Sequence, residues 1–187
     1  MKTLRSLLLL SLVTISSPAL WAQAADRPSP HATISSRIGD RRTGNFVMVT
    51  YGRPQTADPK TGEARAIWGA LVPWDKPWRL GANEATLFGT NKPIVIGDTT
   101  IPAGAYTLYL VPSENGTTQL AFSTNIIKWG VPVDVKNDLV RVDVEKSSLD
   151  PRVDQLTLAL KPEGSSGGVL TISWENTQYS VAFTNAD

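Results

Sequence analysis

Along most of this chain apolar and polar residues take turns, and that period of two narrows the fold to one class. Leu156-Thr157-Leu158-Ala159-Leu160, Leu170-Thr171-Ile172-Ser173-Trp174 and Tyr179-Ser180-Val181-Ala182-Phe183 alternate cleanly. A strand sends successive side chains to opposite faces, so each run sets one face on a core and the other in water. Phe46–Tyr51, Ile94–Ile96, Tyr106–Val111, Leu120–Ser123 and Leu139–Val144 are also β-rich, and Gly52, Gly97 and Pro112 close three of them. No stretch carries a sustained helical period, and the best helix candidate is a turn or two around Ile67–Leu71. About eight to ten strands at regular spacing predict an all-β fold, a single antiparallel β-sandwich of jelly-roll or immunoglobulin-like type. Two connections read as hairpins. Ser113-Glu114-Asn115-Gly116 offers Asn-Gly, which tolerates the positive φ of a tight turn, and Trp174–Gln178 divides the last two strands.

The first 24 residues do not belong to that fold. Lys2 and Arg5 precede an apolar run from Ser6 to Ile15, Pro18 breaks it, and Ala22-Gln23-Ala24 is a small-x-small cleavage site. This is the layout of a secretory signal peptide. The run is shorter than the ~20 residues that cross a bilayer, and no second one follows, so no membrane span is expected. Residues 25–31 read as a Pro-containing lead-in and 32–187 as one domain, placed in the periplasm or outside the cell. Losing Lys2 and Arg5 leaves 16 of the 18 basic residues against 17 acidic ones, a net charge of −1. Without a basic patch, nucleic acid is not an expected partner. The chain has no cysteine, so an exported fold must hold by its core alone.

The inventory of reactive side chains is thin. His31 is the single histidine, which leaves no second candidate base, removes most Ser-His-Asp catalysis and excludes multi-histidine metal sites. Neither a nucleophile elbow nor a Gly-rich phosphate loop is present. No cofactor and no transition metal are expected. Asp134, Asn137 and Asp138 crowd one loop with oxygen ligands suited to calcium, but without EF-hand spacing. A carboxylate pair remains open as chemistry, since a glycosidase needs two acids across a cleft; Glu84 with Asp75 or Asp134 is the candidate pair.

Residues 52–84 break the alternation. A polar insert, Gln55–Arg65, precedes Trp68, Trp74 and Trp78, three tryptophans within eleven residues. Long irregular connections in compact domains are often functional. Trp74, Trp78, Arg79, Asn83 and Glu84 are therefore the ligand-binding candidates, since indoles offer a flat apolar face beside hydrogen-bonding neighbours. The competing reading is that the tryptophans cap the open end of the sandwich. A half-buried Arg79 needs a partner; Glu84 is the first candidate and a tryptophan face the second.

Five segments in order resemble domain-of-unknown-function family 2911, an exported bacterial family. They are Ser29-Pro30-His31-Ala32, Val49–Pro54, Trp68–Pro73 with Trp78–Thr86, Ile101–Leu108, and Trp129-Gly130. The resemblance covers nearly the whole mature chain and implies no assigned activity, hence no catalytic residues. The Gln55–Arg65 insert departs from the family pattern and would alter the rim of a neighbouring pocket. Together these features describe an exported β-sandwich protein that binds a small molecule, glycan or protein without catalysis; the alternative is a glycosidase-like hydrolase using Glu84. Intact-mass measurement on protein exported by its native host should give a chain beginning at Ala25, and a product retaining Leu7–Leu10 would contradict the signal peptide.

Overall fold

The computed structural model describes residues 27–186, so the expected leader and cleavage site lie outside the described residues. Nine strands follow: β1 His31–Ile38, β2 Asn45–Gly52, β3 Thr86–Thr90, β4 Ile94–Ile96, β5 Thr99–Ile101, β6 Gly104–Val111, β7 Thr118–Ser123, β8 Asp138–Glu163 and β9 Gly167–Asn185. Every pairing is antiparallel. The strands make one continuous sheet in the order β1-β2-β3-β6-β7-β8-β9-β4-β5. The all-β antiparallel expectation holds, with all nine strands in a single sheet that does not close on itself. Among the described residues there is no helix, and Ile67–Leu71 is one turn closed by the Val72 amide on the Ile67 carbonyl at 2.8 Å.

Two expected boundaries vanish into long strands. Leu139–Val144 and Leu156–Leu160 are both parts of β8, whose register shifts between Ser148 and Val153 and again between Val153 and Thr157. Trp174–Gln178 is not a hairpin loop. It lies inside β9, where Glu175 turns left-handed at φ 55°. Bulges of this kind bend a strand without ending its pairing. The Glu145–Ser148 stretch of β8 is exposed throughout, so nothing there imposes an apolar alternation that sequence could reveal. β6 and β7 do pair, with Val111 opposite Gln119, but through the longer loop Pro112–Thr117. Neither Asn115 nor Gly116 takes a positive φ. Ser113 organises the loop instead: its hydroxyl accepts the Gly116 amide, and its own amide donates to the Thr118 hydroxyl, both at 3.1 Å.

The core follows the alternation. Val47, Val49 and Tyr51 of β2 are buried, as are Leu170, Ile172 and Trp174 of β9. Phe122 receives Phe88 and Tyr106 edge-on at 5.4 and 6.1 Å. A second set of contacts joins strands that are not sheet neighbours. Beyond β2 the chain runs along the free edge of β8. The Leu156 amide donates to Pro54 at 3.0 Å, the Thr56 amide to Asp154 at 2.7 Å, and Arg53 Nε to the Leu156 carbonyl at 3.1 Å. The buried Tyr51 hydroxyl accepts the Leu158 amide at 2.9 Å. Tyr51→Phe would leave that amide without a partner in a dry site, which costs ~1–3 kcal/mol. Urea denaturation should show a loss of that size, and an unchanged midpoint would mean the seam contributes nothing.

Candidate functional site

The seam fixes where the irregular connection can go. The insert folds back as a short hairpin, with Ala57 bridging Ala64 and the Asp58 amide donating to Glu63 at 2.7 Å. Backbone amides of Lys60 and Thr61 donate to the Asp58 carboxylate and hold its pKa below the ordinary range. The turn that follows needs Gly69, at φ 81°, because a Cβ there would stand 2.6 Å from Trp74 Nε1. Trp68 becomes the hub of an aromatic cluster. It stacks on Trp74 at 6.1 Å and meets Trp78, Trp174 and Tyr179 edge-on at 5.3–6.3 Å. Trp78 in turn stacks on Trp174 at 5.7 Å. β3 pairs only as far as Leu108, and Trp78 continues beside β6 by exchanging backbone hydrogen bonds with Leu110 at 2.7 and 2.8 Å.

Between the insert, the Trp78–Asn83 stretch and the Val131–Val133 loop lies a cleft of about 450 Å³. Trp78, Arg79 and Asn83 line it, together with Trp174, Arg65 and a set of prolines that includes Pro54, Pro73 and Pro77. Three of the five predicted site residues thus meet in one place. Trp74 does not line it; it is half-buried against Trp68, with the Lys146 ammonium 5.0 Å from its ring centre. Glu84 is also elsewhere. It lines a second cleft of about 380 Å³ with His31, Thr50, Lys128 and the exposed Trp129.

The expected Arg79–Glu84 pair does not form, and no tryptophan face takes its place. Arg79 donates to the carbonyls of Gly81 and Asn83, each at 3.3 Å. Its aliphatic stem lies on Gly130, where a Cβ would be 2.5 Å from Arg79 Cδ, so the close approach requires glycine. Burial lowers the guanidinium pKa from its ordinary value. Glu84 instead receives Arg27 Nη1 on both carboxylate oxygens at 2.8 Å and His31 Nε2 at 2.6 Å. The Arg27 hydrogen bonds, foremost, hold its pKa down at about 2. The backbone explains the separation. Leu80 and Asn83 turn left-handed at φ 54° and 65°, and residues 83–85 then run beside 128–130, with the Ala85 amide on Lys128 at 3.1 Å. Asn83 lines the first cleft, while Glu84 and Ala85 line the second.

The other carboxylates are also committed. Asp75 accepts Ser113 Oγ at 2.9 Å. Asp134 accepts the side-chain amides of Asn125 and Asn137 and the Lys136 backbone amide, which bring its pKa to about 2. Those contacts turn donors on Asp134 where a calcium site would need oxygens. Neither acid lines a cleft with Glu84. Several functional neighbours were not singled out from sequence: Arg65 at the end of the insert, Trp174 at the buried end of an alternating run, and Arg27 and His31 in the lead-in.

Fold and site together define an all-β antiparallel protein whose irregular tryptophan-rich connection walls a cleft. The chain belongs to the family of proteins of unknown function DUF2911, whose profile matches residues 29–183. No curated protein and no solved structure matches the chain.

Because Arg79 does not depend on Glu84, Glu84→Gln should cost little, the Arg27–Glu84 pair being 46% and 40% exposed. The folded pKa lies below the ordinary 4.5, so the pair's contribution is present above pH 4.5 and is lost as pH falls toward about 2. Thermal melts should place Glu84→Gln no more than ~3 °C below wild type at neutral pH, with the two converging near pH 2. A larger gap at neutral pH, or one that widens in acid, would contradict this assignment.

Proposed function

We propose that the mature chain is an exported, non-enzymatic binding domain that takes a small ligand in the cleft lined by Trp78, Arg79 and Asn83. One observation carries the reading. The irregular connection and the insert together wall a concave site of about 450 Å³, where proline and tryptophan rings stand beside Arg65, Arg79 and Asn83. That is the size and chemistry of small-ligand sites, whose apolar walls supply affinity while sparse polar groups set orientation. The aromatic cluster behind the wall holds Trp78 in place, so the site is formed before any ligand arrives. The hydrolase alternative finds less support. Glu84 stands without a second acid in its cleft, and its low pKa unsuits it to protonating a leaving group at neutral pH. The signal-peptide pattern of the first 24 residues supports export to the periplasm or medium.

Ligand-observed NMR on the mature protein, with a library of small aromatic and alicyclic compounds, tests the cleft. Binders are expected to be lost in Ala57→Trp, which fills the cleft from the insert and leaves the core untouched. A library without binders, or binders indifferent to Ala57→Trp, would overturn the assignment. Release of reducing sugar from glycans, abolished by Glu84→Gln, would restore the hydrolase reading.

A further inference from the structure

We infer that the second cleft binds a neutral sugar, its C–H face against Trp129 and its hydroxyls on Glu84, His31 and Lys128. This site is separate from the first cleft and does not depend on it. Its floor is the sheet face opposite the core. Thr50, Leu87 and Thr107 stand there in register on β2, β3 and β6, while their chain neighbours Val49, Phe88 and Leu108 are buried. Glu84, Ala85, His31 and the 127–129 segment complete a cleft of about 380 Å³, within the range of small-ligand sites. The groups assigned to the ligand are open to it. Trp129 is 57% exposed, and the Glu84, His31 and Lys128 side chains are 40%, 32% and 24% exposed.

The exposed ring is held in place. Glu84 and Trp129 form a bridge, the Ala85 amide donates to the Lys128 carbonyl at 3.1 Å, and the Gly130 amide donates to Asn83 at 3.4 Å. Ile127, almost wholly exposed, turns left-handed at φ 56°, a conformation that β-branched residues rarely adopt. Strain of this kind collects at ligand sites. The charges beside the ring favour a neutral ligand. Arg27 holds Glu84 ionised at neutral pH, with a pKa of about 2, and the Lys128 ammonium stands in the same lining. A ligand carboxylate would meet Glu84, and a ligand ammonium would meet Lys128. The hydrogen-bonding groups are mixed. His31 Nε2 lies 2.6 Å from Glu84, so that nitrogen carries the proton and Nδ1 of the neutral ring accepts. Glu84 also accepts, Lys128 donates, and the Thr50 hydroxyl does either. Adjacent hydroxyls, which both donate and accept, match such a set. An amide does both as well, but an extended peptide docks on a free backbone edge. Here β2, β3 and β6 have a strand on each side, and 83–85 and 128–130 are bonded to each other. The negative face of an indole attracts the C–H bonds on the face of a pyranose ring.

The test titrates ¹⁵N-labelled mature protein with the methyl glycosides of glucose, galactose, mannose and N-acetylglucosamine. 2-Methoxytetrahydropyran, which keeps the ring and lacks the hydroxyls, is the control. At least one glycoside is expected to move the Trp129 indole resonance. It should bind about tenfold tighter than the control, the scale of one hydrogen bond to a charged group. Trp129→Ala changes an exposed side chain and should abolish binding while the fold stays intact; Trp129→Tyr should retain part of it. Ala57→Trp, which fills the first cleft, should leave it unchanged. No shift with any glycoside, or equal binding of the control, would overturn the inference. So would sugar binding that is lost in Ala57→Trp and kept in Trp129→Ala, which places the sugar in the first cleft. Self-association, or sedimentation with phosphatidylcholine vesicles, abolished by Trp129→Ala would assign the ring to a second copy or a lipid surface and overturn it too.

Discussion

The Tyr51 hydroxyl accepts the Leu158 amide inside the core, and the rest of the molecule is arranged around that contact. In the sheet order β2 and β8 are separated by three strands, so no ladder joins them. Beyond its pairing with β7, β8 presents a free edge whose amides and carbonyls need partners. Tyr51, Arg53, Pro54 and Thr56 supply them in succession. This does two things at once. It covers an edge that would otherwise be open to pairing with another chain, and it fixes the point from which the Gln55–Arg65 insert departs. Arg65 is then held from within the insert, its amide donating to the Thr56 carbonyl at 3.0 Å and Nη2 to the Gln55 carbonyl at 2.7 Å.

The tryptophans divide between the aromatic cluster and the cleft wall. Trp68 and Trp74 cap: one is the hub of the aromatic cluster, the other stacks on it beneath Lys146. Trp78 and Trp174 contribute to the cleft. The two sets are in contact, so the cap holds the site's rings in place. Aromatic rings meeting edge-on and in offset stacks are attracted beyond simple burial, which suits them to hold a wall rigid. Gly69 and Gly130 mark where backbone and side chain approach too closely for a Cβ, one under Trp74 and one under Arg79. The Trp129-Gly130 segment of the family pattern therefore has a packing reason at its glycine.

Much of the fold was legible because burial imposes a period on the sequence. Val47, Val49 and Tyr51, or Leu170, Ile172 and Trp174, alternate because one face of each strand meets the core. Legibility ends where that cause ends. Glu145–Ser148 is paired but exposed throughout, so β8 reads as two strands. Glu175 bends β9 without Gly or Pro to announce it, so a bulge reads as a loop. Trp78, Arg79 and Asn83, which share one cleft wall, drew attention because they lie in the break in alternation. Arg65 and Trp174 did not, since one sits in a polar insert and the other in a regular strand. Only tertiary structure brings them together.

The left-handed turns at Leu80 and Asn83 explain why Arg79 and Glu84 part company. Residues 83–85 then run beside 128–130, bridged at Glu84 and Trp129. Asn83 lines the first cleft, while Glu84 and Ala85 both line the second. The paired stretch is therefore a partition. On one side the Asn83 carbonyl faces Arg79 and the side chain lines the first cleft; on the other, Glu84 gathers Arg27 and His31. Proximity in sequence suggested a pair five residues apart, but pairing would require Glu84 to cross its own backbone. Because it cannot, Glu84 is kept out of the first cleft, whose lining holds Arg65 and Arg79 and neither an aspartate nor a glutamate.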